Sequence, residues 1–419
     1  MNDLKVLHLS YSDTKGGAAR AAYRIHEAML HSGFGSRMLV ASLTSDDWTV
    51  KYPSGNFNKG LLRSRLMLNG ALRASLSANN PLVLAPSILP SPVVDEVNSS
   101  DADLVHIHWV HGGMLSVKDI GRISKPIVWT LHDMWAFCGD EHYSEGDRWR
   151  DGYTKNNRPN GDIGFDINKW VWGQKRKIWE CPFQIVAPSR WMAGCVSESY
   201  LMRDWPVSVI GNCIDTTEWR PLPKDVARDL LNLPREVPLV MFGAMGGGSD
   251  PRKGFDLLIS ALAELSNTER DVQLVVFGQS KPRDPISLNY LVHYVGHVHD
   301  ELTLRALYSA ADVFVIPSRQ DNLPNTALEA QVCGTPVVGF DVGGLSDAVQ
   351  HKHTGYLSDP FDIGDLAQGI RWALQVRNVG GVVNRVRSHA EAKFNYDTIS
   401  RKYAEVYLSA CSHQITPNA

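Results

Sequence analysis

Pro317-Ser318-Arg319-Gln320-Asp321-Asn322-Leu323-Pro324-Asn325-Thr326-Ala327-Leu328-Glu329-Ala330 follows directly on the apolar run Val313–Pro317. A short apolar run that breaks at Pro-Ser and then opens a helix is the strand–loop–helix step of a parallel α/β sheet. Pro324 suits the first turn of that helix, where its missing N–H is harmless. The free N–H groups near residues 322–326 then point into the crevice at the carboxyl end of the sheet, where anions bind in open α/β folds. Glu329 lies eight residues after Asp321. That places it about one and a half turns inside the helix, so the two carboxylates reach different parts of one extended ligand. The competing reading is a capped helix with Glu329 in solvent.

The same alternation extends outward in both directions. Pro238–Gly243, Gln273–Gly278, Tyr294–Val295, Val313–Pro317 and Pro336–Phe340 read as one strand series. Val6–Ser10, Arg37–Ala41, Leu104–His108, Pro126–Leu131 and Gln184–Pro188 read as an earlier one, with a helix over Ala18–His31. Between them, residues 211–223 are punctuated by Gly and Pro, as a linker is. The expected domains are 1–210, 224–393 and a closing segment 394–419. A chain of 419 residues suits two domains of about 200 residues each. Asp140–Gly164, rich in Gly, Asp, Asn and Arg, reads as a long loop.

Composition removes several classes. Net charge is −3, which gives no global basic surface for nucleic acid. No apolar run is long enough to span a bilayer, and Lys5-Val6-Leu7-His8-Leu9 starts a core strand where a signal peptide would stand. The six cysteines show no CxxC spacing, which points to free thiols in a reducing compartment. The expected location is cytoplasmic.

The motif around Asp321 resembles the retaining glycosyltransferases of family 4, which have the GT-B fold: two Rossmann-like α/β domains with a central cleft. Asp321, Glu329, Ala330 and Cys333-Gly334-Thr335-Pro336-Val337-Val338 follow the family pattern of an acidic residue, seven residues, Glu, Ala and a strand. The Asn322-Leu323-Pro324-Asn325 stretch is similar to a branch that builds bacterial surface polysaccharide and O-antigen. The resemblance implies a sugar nucleotide (UDP- or GDP-sugar) as co-substrate, no cofactor and no metal. It also implies that Glu329 binds the donor ribose, that Asp321 contacts the donor sugar, and that backbone around Asn322, Leu323, Asn325 and Thr326 holds sugar and phosphate oxygens. The family usually has Glu where this chain has Asp321.

Further landmarks match in order. Phe242-Gly243-Ala244-Met245-Gly246-Gly247-Gly248 runs into Asp250-Pro251-Arg252-Lys253-Gly254. Lys253 there matches the family's diphosphate-binding lysine. The arginine that normally follows the strand is absent, and Arg252 is the candidate replacement. Gly16-Gly17 after the first strand resembles the N-terminal glycine loop, and the backbone of Gly296, His297 and Val298 is implied to meet the base. Neither glycine stretch makes a GxGxxG, which argues against a nicotinamide site. His106 and His108 share one strand face, yet no third ligand follows in the sequence, so a metal is not expected. The segment instead resembles the family's Asp-x-x-His-x-His strand end, with His108 on the acceptor side. His132, in Thr130-Leu131-His132-Asp133, resembles a histidine that faces donor sugar and acceptor. The bland readings are a solvated basic turn at Lys253, an ordinary turn at Gly16-Gly17 and a satisfied buried histidine at 132. Asp101-Ala102-Asp103 precedes a strand and reads as a loop.

Ten of twelve tryptophans lie from Trp109 to Trp219. Trp135, Trp149, Trp170 and Trp172 are candidates to line an acceptor site, with Asp140–Gly164 as its lid; core packing is the equal alternative. Lys59–Arg73 mixes cations with Leu and Met, either as a core helix or as a peripheral contact with anionic lipid. Catalysis is expected to rest on Lys253, Asp321 and His132. The rivals are a nucleotide-sugar epimerase of the same architecture and a non-catalytic glycan-binding protein.

Overall fold

The structure, a computed structural model, describes residues 3–76, 91–144, 146–162, 164–243, 248, 250–283, 289–298, 300–377 and 379–413. The chain divides into two compact units. One holds the chain through Gly211 together with the chain from Ile399, and the other holds Asn212–Thr398.

The first unit is built on seven parallel strands: β1 (Lys5–Ser12), β2 (Gly35–Ser42), β3 (Val50–Lys51), β4 (Leu104–Ile107), β5 (Ile127–Thr130), β6 (Gln184–Ala187) and β7 (Val207–Val209), in the order 3-2-1-4-5-6-7. The second is built on six: β8 (Leu239–Gly243), β9 (Gln273–Phe277), β10 (Val292–Gly296), β11 (Val313–Ile316), β12 (Val337–Phe340) and β13 (Gly355–Ser358), in the order 10-9-8-11-12-13. Short β3, β7 and β13 were not in the sequence reading. Two or three residues carry too little periodicity to be read locally, and β13 (Gly355–Ser358) opens on glycine and ends on serine.

In both sheets the order reverses once, between β1 and β4 and between β8 and β11. Loops leaving the carboxyl ends of those strands splay to opposite sides, which opens the crevice where such folds bind ligands.

Strand alternation sorts the second unit's core cleanly. Val240, Phe242, Leu274, Val276, Val313, Val315, Val338 and Phe340 pack on one face, and Leu239, Met241, Val275, Phe277, Phe314, Ile316 and Val337 on the other. In the first unit the buried strand residues of one face are all apolar, with Leu9, Leu39, Val105, Ile107, Ile127, Trp129 and Ile185 in the main core. The opposite face buries Val6, Met38, Val40, Leu104, Val128 and Val186 but interleaves them with buried His8, His106 and Thr130.

Three expectations are corrected. Residues 211–223 are not a loose linker: from Asn212 they belong to the second unit, with Ile214 and Trp219 buried in its core. Pro324 is the cap before the helix Asn325–Val332 rather than a residue of its first turn. The Asp140–Gly164 stretch contains a short helix, Arg148–Asp151, and is anchored by buried Trp149 and Tyr153 and by an Arg148–Asp166 ion pair of 2.7 Å. Those anchors make it a packed shell of its domain, not a lid.

Candidate functional site

In the second unit the site grows from β8 and β11. Beyond β8, Asp250 caps a 3-10 turn over Pro251–Lys253, which ends at Gly254 with φ of 66°. A Cβ on Gly254 would stand 1.9 Å from the Pro317 carbonyl oxygen, so only glycine lets this turn lie against the end of β11. The two loops are then stitched together. The Arg319 amide donates to the Arg252 carbonyl at 2.8 Å, and the Arg252 guanidinium donates to the Gln320 carbonyl at 3.0 Å. Arg319 also grips Asp256 through two hydrogen bonds, at 2.8 and 2.6 Å.

This places the Lys253 ammonium 2.6 Å from the Asp321 carboxylate, with the Ser318 hydroxyl at 3.3 Å. Burial alone would raise the Asp321 carboxyl. The Lys253 charge, helped by Arg252 and by hydrogen bonds from Lys253 and Ser318, reverses that and holds it below the usual carboxylate range. Asp321 is also fixed through its backbone, which accepts from the Gly344 amide at 3.0 Å. Gly343 beside it has φ of 59° and no room for a Cβ, which would lie 2.0 Å from the Asp321 oxygen.

Glu329 is 2% exposed and accepts from the Tyr308 hydroxyl at 2.9 Å. The reading of Glu329 as a merely solvated helix residue is therefore set aside, since the carboxylate is enclosed and oriented. Asn322 and Leu323 are buried, while Asn325 and Thr326 are half-buried. Asn212 ties this loop down by donating to the Leu323 carbonyl at 3.2 Å and to the Asn325 side chain at 2.8 Å. Gly296 has φ of 86° at the end of β10, His297 is exposed and Val298 is half-buried. Ala244–Gly247, where the family carries its arginine, lie outside the described residues.

In the first unit, Gly16 has φ of 101° and precedes the helix Gly17–His31, whose N-terminus has no side-chain cap. A cavity of about 240 Å³ there is lined by Tyr11, Ser12, Lys15, Gly16, Gly17 and Trp109, among others. It sits at the β1/β4 reversal. His108 and His132, just past β4 and β5, are joined by a ring-nitrogen hydrogen bond of 3.1 Å. His108, 1% exposed, is corrected as an acceptor residue because no acceptor can reach it, whereas His132 is half-buried. Burial lowers the His132 pKa to about 4, although neighbouring Asp133 pulls it upward.

Trp135 is corrected as an acceptor residue. It is fully buried, and the buried Lys175 ammonium lies 3.6 Å from its ring centroid. Trp149 and Trp172 are core residues too, and of the four only Trp170 is exposed. Nine of the ten tryptophans from Trp109 to Trp219 lie in the first unit, where Trp129, Trp135, Trp179 and Phe183 build an aromatic core with ring contacts among them.

Sequence reasoning missed His8 and the partners Tyr308, Tyr403 and Tyr407. The third imidazole near His106 and His108 comes from β1, where His8 is paired in register with His106. Ligand atoms of His8, His106 and His108 lie within 4.8 Å of one another, as do those of His111, Asp133 and His142. A polar residue inside the apolar run Lys5–Leu9 was the available signal.

Two all-parallel α/β units, each with its glycine loop and polar side chains at a strand-order reversal, define the GT-B class of two-domain glycosyltransferase folds. Residues 15–218 match the family described as Glycosyltransferase Family 4, and residues 238–376 match Glycosyl transferases group 1. The chain thus carries the group 1 and family 4 glycosyltransferase domains. The D-inositol 3-phosphate glycosyltransferase of Segniliparus rotundus is 28% identical over 303 residues, 69% of this chain and 61% of that protein. The match therefore spans less than two thirds of that relative. Among solved structures, HepE of Anabaena in complex with UDP-glucose has a TM-score of 0.62 at 18% identity, covering 97% of this chain and 100% of that one. WaaG, a glycosyltransferase involved in lipopolysaccharide biosynthesis, has a TM-score of 0.60 at 17% identity, covering 96% and 99%. At these identities the likeness is one of fold. No helix among the described residues is long and apolar enough to cross a membrane.

Proposed function

We propose that this chain is a retaining glycosyltransferase that moves a hexose-type sugar from a UDP- or GDP-sugar to a glycan or lipid-linked oligosaccharide in cell-surface polysaccharide synthesis. The observation that carries the reading is the Lys253–Asp321 pair, with Arg252 beside it, at the strand-order reversal of a group 1 glycosyltransferase domain. The HepE complex with UDP-glucose and the lipopolysaccharide role of WaaG are consistent with the donor and the setting.

In this reading Lys253, Arg252 and the amides at the start of the helix Asn325–Val332 bind the donor diphosphate and stabilise the charge that develops as it leaves. Glu329 holds the ribose and Asp321 contacts the sugar. The backbone at Gly296, His297 and Val298 meets the base. Within the first unit, Gly16 and Gly17 at the helix start and His132 past β5 are that unit's own ligand-binding residues, and His108 acts through His132. The bond from the anomeric carbon to the diphosphate breaks, the acceptor hydroxyl oxygen bonds from the same face, and its proton passes to the departing diphosphate. Side-chain and backbone charge supply the electrostatics, so transfer is metal-independent. A second acceptor reading, a phosphorylated cyclitol, is favoured by the Segniliparus relative's name.

The first experiment is calorimetric titration with UDP, GDP, ADP and dTDP beside Glu329→Ala. Tight binding of one nucleotide, weakened in the variant, supports the donor site; binding of none moves the glycan-binding reading to the front. A product of inverted anomeric configuration would rule out the mechanism. Peripheral membrane contact belongs to the same proposal. The helix Asn56–Leu76 exposes Leu61, Met67 and Leu68 beside exposed Lys59 and Arg63, while Leu62 and Arg65 face inward. Co-sedimentation with anionic liposomes at low salt tests it, and absence of binding there ends it.

A further inference from the structure

The polar face of the first sheet buries three imidazoles in a row. His8 Nδ1 lies 3.0 Å from His108 Nε2, and His108 Nδ1 lies 3.1 Å from His132 Nε2. His8 and His108 are 0% and 1% exposed, whereas His132 reaches the open end of β5. Their neighbours do not compete for these nitrogens. His106 spends both of its own on Tyr407 at 2.8 Å and Thr130 at 2.7 Å, and His26 spends both on Ser36 and Thr49. The Asp133 carboxylate is taken by Trp109, His142 and the Trp135 amide.

A row of neutral imidazoles has only two proton arrangements, because each ring carries one N–H and each shared contact needs one donor. The inner end decides between them. His8 Nε2 is buried without a hydrogen-bond partner among the described residues. A buried N–H with no acceptor is rarer and costlier than an under-used acceptor. The bare lone pair therefore sits on His8 Nε2 and its proton on Nδ1. That proton is donated to His108 Nε2, and His108 Nδ1–H is donated to His132 Nε2. The His132 proton is left on Nδ1, which has no partner among the described residues. Burial keeps His8 and His108 neutral by lowering both pKa values well below the ordinary one.

We propose that His8 and His108 are positioning residues that lock His132 as its Nδ1–H tautomer, so that His132 meets a bound ligand as a hydrogen-bond donor to an oxygen atom. The tautomer follows from the hydrogen-bond row alone; the ligand-facing role of His132 rests on the function proposed above. The row also keeps the ligand-facing nitrogen from acting as a proton acceptor unless all three imidazoles shift their protons together.

The test is two-bond 1H–15N correlation spectroscopy of protein labelled with 15N-histidine, at neutral pH. The expected wild-type spectrum has His132 with a protonated Nδ1 and a bare Nε2. His108→Gln should release His132 to a mixture of tautomers, while the His106 pattern, held by Thr130 and Tyr407, reports an intact fold. His8→Leu should do the same. His8→Asn, whose amide N–H stands where Nδ1–H did, should restore the wild-type pattern. A wild-type His132 protonated at Nε2 overturns the proposal, and so does an unchanged tautomer in His108→Gln. Stoichiometric zinc in the purified protein, with metal-shifted nitrogens on His8, His106 and His108, overturns it as well. None of these readouts requires turnover. The expected spectra from a protein that binds no nucleotide would sink the transferase reading and leave the tautomer lock standing.

Discussion

Replacing Lys253 with Met keeps the stem and removes the charge, and its consequences can be worked from two contacts. In the free protein Lys253 is neutralised by Asp321 at 2.6 Å, with side chains 21% and 14% exposed. A nucleotide diphosphate competes for that ammonium. A hydrogen bond to a charged group contributes about 1.5–3 kcal/mol, which corresponds to roughly 10- to 150-fold in Kd. A second loss adds to this. Without Lys253, the Asp321 carboxylate keeps only Arg252 and Ser318 against the cost of burial, and it faces the diphosphate as an unneutralised like charge. Lys253→Met should therefore weaken UDP or GDP binding at least about tenfold. Asp321→Asn should leave bare nucleotide affinity equal or stronger, because it frees the ammonium, while transfer falls. The double variant should bind better than Lys253→Met alone. Calorimetry at one fixed salt concentration, with thermal melts to show that each variant folds, measures all four corners of the cycle. Lys253→Met within twofold of wild type would refute the diphosphate role. Asp321→Asn losing as much affinity as Lys253→Met would refute the competition argument.

Acid should unfold the first domain early. His8, His26, His106, His108 and His132 all have lowered pKa values, chiefly through burial, with His26 and His132 at about 4. Below the ordinary value of 6.5 the unfolded chain takes protons that the folded one refuses, so their stability contribution is intact above 6.5 and is lost as pH falls toward the folded values. Each group then costs about 1.4 kcal/mol per pH unit, and urea midpoints that stay constant between pH 7 and 5 would contradict the neutral array. In the second domain Asp312 binds Arg228 at 2.8 Å, Lys224 at 2.7 Å and the Leu239 amide at 2.8 Å. Asp312→Ala leaves the buried Arg228 guanidinium with backbone carbonyls but no counter-charge and should cost about 3–5 kcal/mol in urea unfolding, whereas a loss below about 1 kcal/mol would mean that water reaches it. Gly254→Ala combines left-handed backbone, worth about 1–2 kcal/mol, with a Cβ 1.9 Å from the Pro317 oxygen. It should lower both the melting temperature and nucleotide affinity, since Lys253 rides on that turn.

Much of the second domain's site was legible in the sequence because its pieces are local. The Ser318–Glu329 stretch carries its own strand exit, loop and helix, and Pro251–Gly254 carries its own turn. The geometry that makes them one site was not legible, since Lys253 and Asp321 are 68 residues apart and meet only because β8 and β11 are neighbours across a reversal of strand order. The tryptophans show the opposite failure. Their clustering in sequence left a surface for sugar and core packing as equal readings, because burial is decided by which side chains the folded sheet encloses, and Trp135, Trp149 and Trp172 ended in the core.

By itself, then, the sequence determined the α/β alternation, the breaks between its elements and the chemistry of each loop, because hydrophobic period, turn residues and capping are written in adjacent positions. Only the tertiary structure decided that His8, 100 residues from His108, would share a hydrogen bond with it, that Tyr403 and Tyr407 would close over the same face, and that Glu329 would be held by Tyr308. Strand order and register set those meetings. They are selected by the burial of whole faces at once, which no local stretch encodes.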